Sequence, residues 1–563
     1  MDKPIWKAQW ISPEEEGTKE KGERYGAGYL RKTFVLPEAV SEAKLYITAH
    51  GLYEAFLNGE RIGLDHLTPG CDEYDQRLQY QVYDVTEGLR PAPETNELLV
   101  VLGDGWYRGC NGIDGVRNLY GTDLSLLAQL QSKEQILLTT DESWEGTMNG
   151  PILLTDLELG ETYDARKDMT GWHPAAVMSA LPAPEKGLKQ TGFGYENLAE
   201  TAGCPVREKE RFEGKLIQTP DGSSVYDFGQ NLAGVTRLTV SGAKEGQRIR
   251  LIHGETLDEK GNFTIANFQP GDRNQSGGIK QETNYICREG DQTYQPSFSL
   301  YGFRYAKIET DLPLSQIRVE AVALYSDMRQ TAFFECGNPL VNRLFENSLW
   351  SMRSNFCDIP TDCPTRERAG WTGDAGVFAP TGVRLMESRA VFEKWLMNLR
   401  LTQHADGKMA YITPTNGKPG MISEMFSASV GWGDACVLVP WAIYQVYGDE
   451  TVLRDNYAMM KKWVDFLEER AKKSRLTSRF RKNPYARYTI DTGMDYGEWS
   501  EPGANVMETM KHASLHGQPE VATAYFAHSA SLLGQIAGIL GEEQDAMRYT
   551  NLEIGRASGR DRV

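Results

Sequence analysis

The stretch Asp362-Cys-Pro-Thr-Arg-Glu-Arg-Ala-Gly-Trp-Thr-Gly-Asp374 gathers three carboxylates, two guanidinium groups and one indole within thirteen residues. Pro364, Gly370 and Gly373 interrupt any regular period, so we expect a shaped loop and not one face of a helix. An apolar run follows immediately, which predicts that Asp374 caps or opens a helix.

Two interpretations of these side chains are open. Carboxylates beside an aromatic ring on a loop are typical of sites that cleave sugars, because the acids hold hydroxyl groups and transfer protons while the ring covers an apolar sugar face. The alternative is a solvated loop of salt bridges with a capping Asp. Composition by itself does not separate the two.

The thirteen residues closely resemble the signature of the bacterial α-L-rhamnosidases of glycoside hydrolase family 78. Patches at 53–59, 102–109, 227–231 and 301–305 are similar to the β-domains of that family. Trp106 and Tyr107 in the second patch could contact sugar, but packing at a strand end is the preferred interpretation. The third patch contains Asp-Phe-Gly, as kinases do, but no phosphate-binding glycine loop or catalytic-loop motif accompanies it in the sequence, so we reject a kinase.

The composition limits the partners of the chain. With 563 residues we expect three or four domains, and the net charge of −18 argues against nucleic acid or an anionic membrane surface and allows a neutral glycoside. The sequence has no apolar run long enough to span a bilayer and no hydrophobic signal region at its start, so the chain is predicted to be cytoplasmic. The eight cysteines lack metal-ligand or disulfide spacing, so we expect reduced thiols, no metal and no cofactor. The sequence indicates no oligomeric state.

The first half is predicted to be rich in β-strands. Leu45, Ile47 and Ala49 alternate with other residues as in a half-buried strand, and Asn58-Gly59 predicts a tight hairpin. Further predicted strands lie at 78–83, 98–102, 124–131, 136–140, 225–228, 235–240, 248–253, 283–287 and 303–308. This spacing favours β-sandwich or jelly-roll domains. With a loose stretch as the boundary, we expect one sandwich at 1–200, and the resemblance implies a second, concanavalin-like sandwich at 201–326.

After about residue 327 the hydrophobic period becomes helical. One stripe is Val341, Phe345, Leu349, Met352 and Phe356, and further helices are predicted at 375–386, 392–399, 434–447, 453–467 and 521–540, with a short one near Glu543. Paired helices joined by loops with acids and aromatics favour an α/α toroid. The resemblance implies an (α/α)6 barrel, which needs more helices than these.

The fold class is therefore predicted as multidomain, with N-terminal β-sandwich domains followed by an incomplete (α/α)6 barrel at 327–553 in a C-terminally truncated chain. Because the last helix pairs of such a barrel are absent, the stripe at 341–356 and the segment 521–540 should leave apolar surface uncovered. Residues 554–563 show no apolar period and resemble a translated sequencing adapter, so we expect a non-native tail.

Two loops between predicted helices combine aromatic and acidic residues again. Asp434 lies two residues after Trp432 and immediately before an apolar helix, so it is either an N-cap or a site residue. Glu498 and Trp499 are followed closely by Pro and Gly, which leaves no helix to cap. By resemblance both loops match places where the family has active-site indoles and acids, although the family more often has Asp where Glu498 stands. Packing inside a barrel is the alternative for each Trp, and site involvement is preferred.

The resemblance also implies a mechanism. The family inverts configuration, so two carboxyl groups must flank the bond with a water between them. By match to the motif, Glu367 is the general acid and the general base lies further along the sequence than this chain extends. The substrate-binding residues implied are Asp362, Arg366, Trp371, Asp374, Trp432, Asp434, Glu498 and Trp499.

The two arginines beside Glu367 oppose its role as an acid. If both point away while Asp362 and Asp374 face Glu367, repulsion and burial would favour the protonated form that an acid needs. We expect these three carboxyls within one sugar ring of each other, on the order of 10 Å. The predicted function is an inverting α-L-rhamnosidase for plant glycosides or polysaccharides. The alternatives are a non-hydrolytic rhamnose-binding protein and an α/α-toroid glycosidase for another sugar.

Overall fold

The computed structural model describes residues 4–14, 26–112, 115–133, 135–178, 194–269, 278–415, 427–473, 488–498, 505, 508–509, 511 and 518–560. They divide into two compact units. The first comprises Met1–Asp327, Asn338–Asp358 and Cys363–Arg368, and the second comprises Met328–Gly337, Ile359–Asp362 and Ala369–Val563.

The first unit opens with two sheets. Their strands, and those that cross to a third sheet, are β1 (Ile11–Ser12), β2 (Gly28–Phe34), β3 (Lys44–His50), β4 (Leu52–Leu57), β5 (Glu60–Arg61), β6 (Leu78–Asp84), β7 (Asn96–Gly103), β8 (Ser125–Ser132), β9 (Gln135–Thr139), β10 (Glu145–Thr147), β11 (Ile152–Asp156), β12 (Gly160–Asp164), β13 (His173–Pro174), β14 (Ala176–Val177) and β15 (Leu198–Glu200). One sheet has the order β14-β1-β8-β3-β6-β15, with β9 beside β8, and the other has the order β13-β10-β2-β7-β4-β5.

The core of this sandwich lies between the two sheets. Leu45, Ile47 and Ala49 of β3 belong to it together with Val100 of β7, as the predicted alternation requires. The predicted hairpin at Asn58-Gly59 is confirmed: β4 pairs with β5, and both turn residues have positive φ (54° and 87°), as a type I′ turn needs.

Trp106 and Tyr107 lie on the short helix α1 (Gly105–Arg108) and are buried. The Tyr107 ring stacks on His50, with ring centroids 4.9 Å apart, and meets Tyr74 edge-on at 5.6 Å. The preferred interpretation, packing over sugar contact, is confirmed.

A third sheet follows in the same unit. Its strands after β11 and β12 are β16 (Val206–Glu213), β17 (Lys215–Gln218), β18 (Ser224–Ala243), β19 (Arg248–Gly254), β22 (Glu282–Ile286), β23 (Gly290–Tyr294), β24 (Tyr301–Thr310) and β25 (Ile317–Ser326); the small pair β20 (Thr256–Leu257) and β21 (Phe263–Thr264) stands apart. The order is β11-β12-β22-β19-β24-β18-β25-β16, with β17 and β23 also on β18. Strands from 152–164 thus pair with strands from the second predicted domain.

Helix α2 (Pro339–Asn355) packs on β18 and β25 of this unit. The Asn338 side chain caps it by accepting the Leu340 N–H at 3.0 Å. Leu349, Met352 and Phe356 of the predicted stripe are buried, whereas Val341 is 39 % exposed, so the predicted uncovered surface is found only at the start of the stripe.

The first unit also contains the two-residue strand β26 (Phe356–Cys357). The described part of the second unit is mainly helical: after the two-residue strand β27 (Ile359–Pro360) it forms α3 (Thr372–Leu385), α4 (Arg389–Thr402), α5 (Ala435–Tyr447), α6 (Thr451–Lys472), α7 (Pro519–Leu540) and α8 (Glu543–Arg560). α3 packs closely on α5, since a Cβ at Gly376 would stand 3.4 Å from Ala435. The predicted change from strands to helices is confirmed, and no helix of the described ranges is both long and apolar enough to cross a membrane.

Two details of the predicted helices were wrong. The segment 521–540 does not leave a large apolar surface uncovered: Phe526, Leu533 and Ile536 are fully buried. The helix near Glu543 is not short, because its backbone stays helical to Arg560, into the predicted tail. α7 packs on α8, α6 and α5, which accounts for the burial of these side chains.

Candidate functional site

The thirteen-residue stretch is a loop up to Gly370, as predicted. Its two ends are joined within the second unit: Asp362 N–H donates to the Ala369 carbonyl at 3.2 Å, and Ala369 N–H donates to Asp362 Oδ1 at 3.2 Å. Asp362 is half-buried. One carboxylate oxygen therefore closes the loop, and the side chain remains partly open to solvent.

Trp371 stands at the N-cap position of α3. A short antiparallel contact holds it there, since Thr372 N–H donates to the Tyr411 carbonyl and Thr413 N–H donates to the Gly370 carbonyl, each at 2.9 Å. Gly370 has no room for a side chain, because a Cβ would stand 2.0 Å from the Thr413 carbonyl oxygen.

Asp374 lies in the first turn of α3, and its side chain is exposed. It opens the helix as predicted, because a carboxylate near a helix N-terminus is favoured by the helix dipole.

Four aromatic rings form what we call the four-ring cluster: Trp371, Tyr411, Trp432 and Tyr496. The Trp371 ring lies 5.2 Å from Tyr411 and 5.8 Å from Tyr496, and Trp432 lies 4.7 Å from Tyr496. Both indoles are half-buried, so part of each ring faces solvent. Gly373 permits the arrangement, since its Cβ would stand 2.6 Å from the Trp432 indole.

Asp434 is fully buried and does not cap α5 with its side chain. Its carboxylate accepts hydrogen bonds from Gly431 N–H (2.7 Å), Trp463 Nε1 (3.1 Å) and Ser529 Oγ. Burial raises the pKa of Asp434 above its ordinary value, although these three donors lower it. Through these hydrogen bonds Asp434 holds the loop that carries Trp432 in place.

The second predicted loop is anchored in a similar way. Asp495 is buried, pairs with Arg470 at 2.7 Å and accepts the Val430 N–H at 2.8 Å. This anchor fixes the neighbouring Tyr496. Glu498 is exposed, and Trp499 lies outside the described residues.

Glu367 belongs to the first unit and is 6 % exposed. Arg366 Nη2 stands 3.0 Å from its Oε1, and Glu367 N–H points to Cys363 Sγ at 3.3 Å. Arg368 is turned away into the β-rich unit. The condition that both arginines point away is therefore met by Arg368 and not by Arg366.

The structure brings Trp371 and Trp432 together, as the sequence predicts, and adds two rings that the sequence analysis did not include. Tyr496 could have been found, because it stands inside the predicted loop at 495–499. Tyr411 carries no comparable signal, since only the isolated antiparallel bridge between Trp371 and the neighbouring Ile412 places it there. Glu367 lies in one unit and the four-ring cluster in the other, so their convergence on one pocket stays a prediction. Within the described ranges no group of three or more His, Cys, Asp or Glu could hold a metal ion.

The chain is similar to known proteins. Sequence models of three domains match in order: the alpha-L-rhamnosidase N-terminal domain at 38–210, the bacterial alpha-L-rhamnosidase concanavalin-like domain at 217–325, and the bacterial alpha-L-rhamnosidase 6 hairpin glycosidase domain at 329–555. An alpha-L-rhamnosidase of Streptomyces avermitilis is 38 % identical over an alignment of 538 residues that covers 93 % of this chain and 47 % of the relative.

Solved structures agree. The alpha-L-rhamnosidase of Aspergillus terreus superposes with a TM-score of 0.83 at 32 % identity, covering 98 % of this chain and 61 % of that one. The Streptomyces avermitilis enzyme complexed with L-rhamnose gives a TM-score of 0.80 at 34 % identity, covering 96 % and 49 %. The chain thus spans about half the length of the curated relatives it matches. By its three successive domains and these relatives, the chain belongs to the bacterial α-L-rhamnosidases of glycoside hydrolase family 78.

Proposed function

We propose that this chain supplies the proton donor and the sugar-binding loops of an inverting α-L-rhamnosidase that releases terminal α-L-rhamnose from plant glycosides or polysaccharides. The observation that carries the proposal is the four-ring cluster, since half-buried indoles suit a sugar ring and Trp371 belongs to the same thirteen-residue stretch as the carboxylates Asp362 and Asp374. The Streptomyces relative bound to L-rhamnose supports the choice of sugar.

In this mechanism Glu367 gives its carboxyl proton to the glycosidic oxygen while the bond from that oxygen to the anomeric carbon breaks. A water attacks the same carbon from the opposite face and loses its proton to a base, so the configuration inverts.

The remaining residues divide by their surroundings. Asp362 and Asp374, both open to solvent, would accept hydrogen bonds from rhamnose hydroxyls, while Trp371 and Trp432 would cover the apolar face that bears the methyl group. Arg366, Glu498 and Trp499 would complete the contacts, and Asp434 would act by holding the Trp432 loop.

The proposed partner is a neutral glycoside, because a net charge of −18 disfavours nucleic acid and anionic membranes. The cytoplasm is the proposed location, on the strength of cysteines without disulfide spacing.

The substitution Glu367→Gln tests the acid role in the protein expressed from the native open reading frame that contains this sequence. The amide keeps the shape and removes the proton, so turnover of alkyl rhamnosides should fall by about 10²–10⁴-fold. A nitrophenyl rhamnoside, whose leaving group needs no proton, should lose much less. Glu346→Gln, an exposed position on α2, serves as the matched control and should keep the activity on both substrates. Equal losses on both substrates would mean that Glu367 positions the sugar and another residue is the acid.

A further inference from the structure

The third sheet holds the acid-bearing loop through one buried arginine. Arg368, next to Glu367, is 5 % exposed and points into the first unit. Its Nη2 donates to Gln281 Oε1 at 2.9 Å, its Nη1 donates to the Leu157 carbonyl, and its Nε donates to the Pro364 carbonyl at 3.1 Å. The planar guanidinium thus joins its own loop to two separate segments of the β-rich unit.

Gln281 is the other half of this contact, which we call the Gln281–Arg368 clamp. The Gln281 amide pairs with the backbone of Gly302: Oε1 accepts the Gly302 N–H at 2.8 Å, and Nε2 donates to the Gly302 carbonyl at 3.2 Å. One amide oxygen therefore receives hydrogen bonds from both the sheet and Arg368. Gly302 itself lies against the loop, since its Cβ would stand 2.5 Å from Thr365.

The backbone of Gln281 is fixed as well. Its N–H donates to the Glu158 carbonyl at 3.1 Å, and its carbonyl accepts His253 Nδ1 at 2.6 Å. Because a carbonyl only accepts, Nδ1 carries the imidazole proton, and Nε2 is left to accept from Thr236 Oγ1 at 3.0 Å. Burial lowers the pKa of His253 to about 4, so this imidazole stays neutral around pH 7.

The turn that presents the Leu157 carbonyl is held in the same manner. Asp156 Oδ1 accepts the N–H groups of Glu158 (2.8 Å) and Leu159 (2.9 Å). The carbonyl thus comes from a preformed turn and is not free to follow the arginine.

Two strained residues meet at the clamp. Arg368 and Gln281 both have positive φ, 50° and 47°, in the region that residues other than glycine rarely adopt. Such conformations persist where surrounding contacts over-determine them, and they cluster at functional sites. Arg368 follows Glu367 directly in the chain. By holding Arg368 in its strained conformation, the clamp therefore fixes the backbone orientation of Glu367.

We propose that Gln281 and Arg368 are positioning residues for the Glu367 carboxyl. This inference rests on the proposed acid role of Glu367. A displaced acid delivers its proton poorly, whereas sugar binding to the loops of the second unit is unaffected. The loss should therefore appear in kcat for substrates that need the proton, and KM should stay unchanged.

The variants are Gln281→Asn and Arg368→Lys in the protein from the native open reading frame. Asn tolerates positive φ but is one methylene too short to reach Gly302 and Arg368 together. Lys keeps the positive charge but lacks the planar guanidinium, which donates several hydrogen bonds at once. Gln292→Asn is the matched control: this buried amide also bonds both to backbone and to a side chain, Tyr285, in the same unit and away from the loop.

We expect kcat on an alkyl rhamnoside to fall by about 10–10²-fold in both variants, with less than about 3-fold loss on the nitrophenyl rhamnoside, and the control to lose neither. Equal losses on both substrates, or none, would overturn the clamp, and the conservative Lys variant decides should the Asn variant not fold. Glu367→Gln runs alongside. If Glu367→Gln loses equal activity on both substrates, the acid role is wrong, and the positioning role of Gln281 and Arg368 is wrong with it. If Glu367→Gln is selective for the leaving group but the Gln281 and Arg368 variants are not, only the positioning role is wrong.

Discussion

Glu161 on β12 is a buried carboxyl outside the site, and its titration should be visible in the stability of the first unit. Its carboxylate accepts Tyr294 Oη (2.5 Å) and the N–H groups of Ser297 (3.1 Å) and Phe298 (3.0 Å). Burial outweighs these donors and raises the pKa of Glu161 from 4.5 to about 7. Between these two pH values the folded state keeps a proton that the unfolded state releases. The stabilisation is thus complete below the lower value and is lost as the pH rises through the upper one.

We expect the unfolding free energy of this unit to fall by up to about 1.4 kcal/mol per pH unit across that window because of Glu161. Calorimetry at several pH values, compared with Glu161→Gln, measures the effect. The amide removes an acceptor for Phe298 N–H, so the variant should be less stable throughout, and the readout is the difference in pH slope. Identical slopes for the two proteins would show that Glu161 titrates normally.

At the scale of one element, α2 offers a comparison within a single helix. Leu344 is 65 % exposed, whereas Leu349 is 2 % exposed and lies in the half that packs on β18 and β25. Leu349→Ala should cost about 2–5 kcal/mol, while Leu344→Ala should change stability by less than about 0.5 kcal/mol. Denaturant unfolding of both variants tests this. A large cost at Leu344 would show that the first half of α2 is covered in solution.

At the scale of the whole molecule, the chain spans about half the length of its curated relatives. If these 563 residues contain no general base, the chain should release no nitrophenol from a nitrophenyl α-L-rhamnoside, because nothing activates the attacking water. Calorimetric titration with L-rhamnose then separates a chain that binds the sugar from one that does not. Clear turnover would place the base within this chain.

The sequence by itself determined where strands and helices form and that the residues before Trp371 form a loop. Alternation over 45–49 and the Asn58-Gly59 pair predicted strands and a hairpin correctly, because the two-residue period of a strand and the positive φ of a tight turn are local properties. The helical period after 327 and the loop before Trp371 are local in the same sense. The thirteen-residue motif also led to the family.

Only the tertiary structure decided which side chains meet. Tyr411 meets Trp371 through the isolated bridge between Trp371 and Ile412, and Arg368 meets Gln281 although 87 residues separate them. The direction of each arginine beside Glu367, the burial of Asp434 and the cover of α7 by α8 depend likewise on packing between distant segments. A periodic pattern states which face of an element is apolar, but the partner of that face is set by the packing of the whole unit.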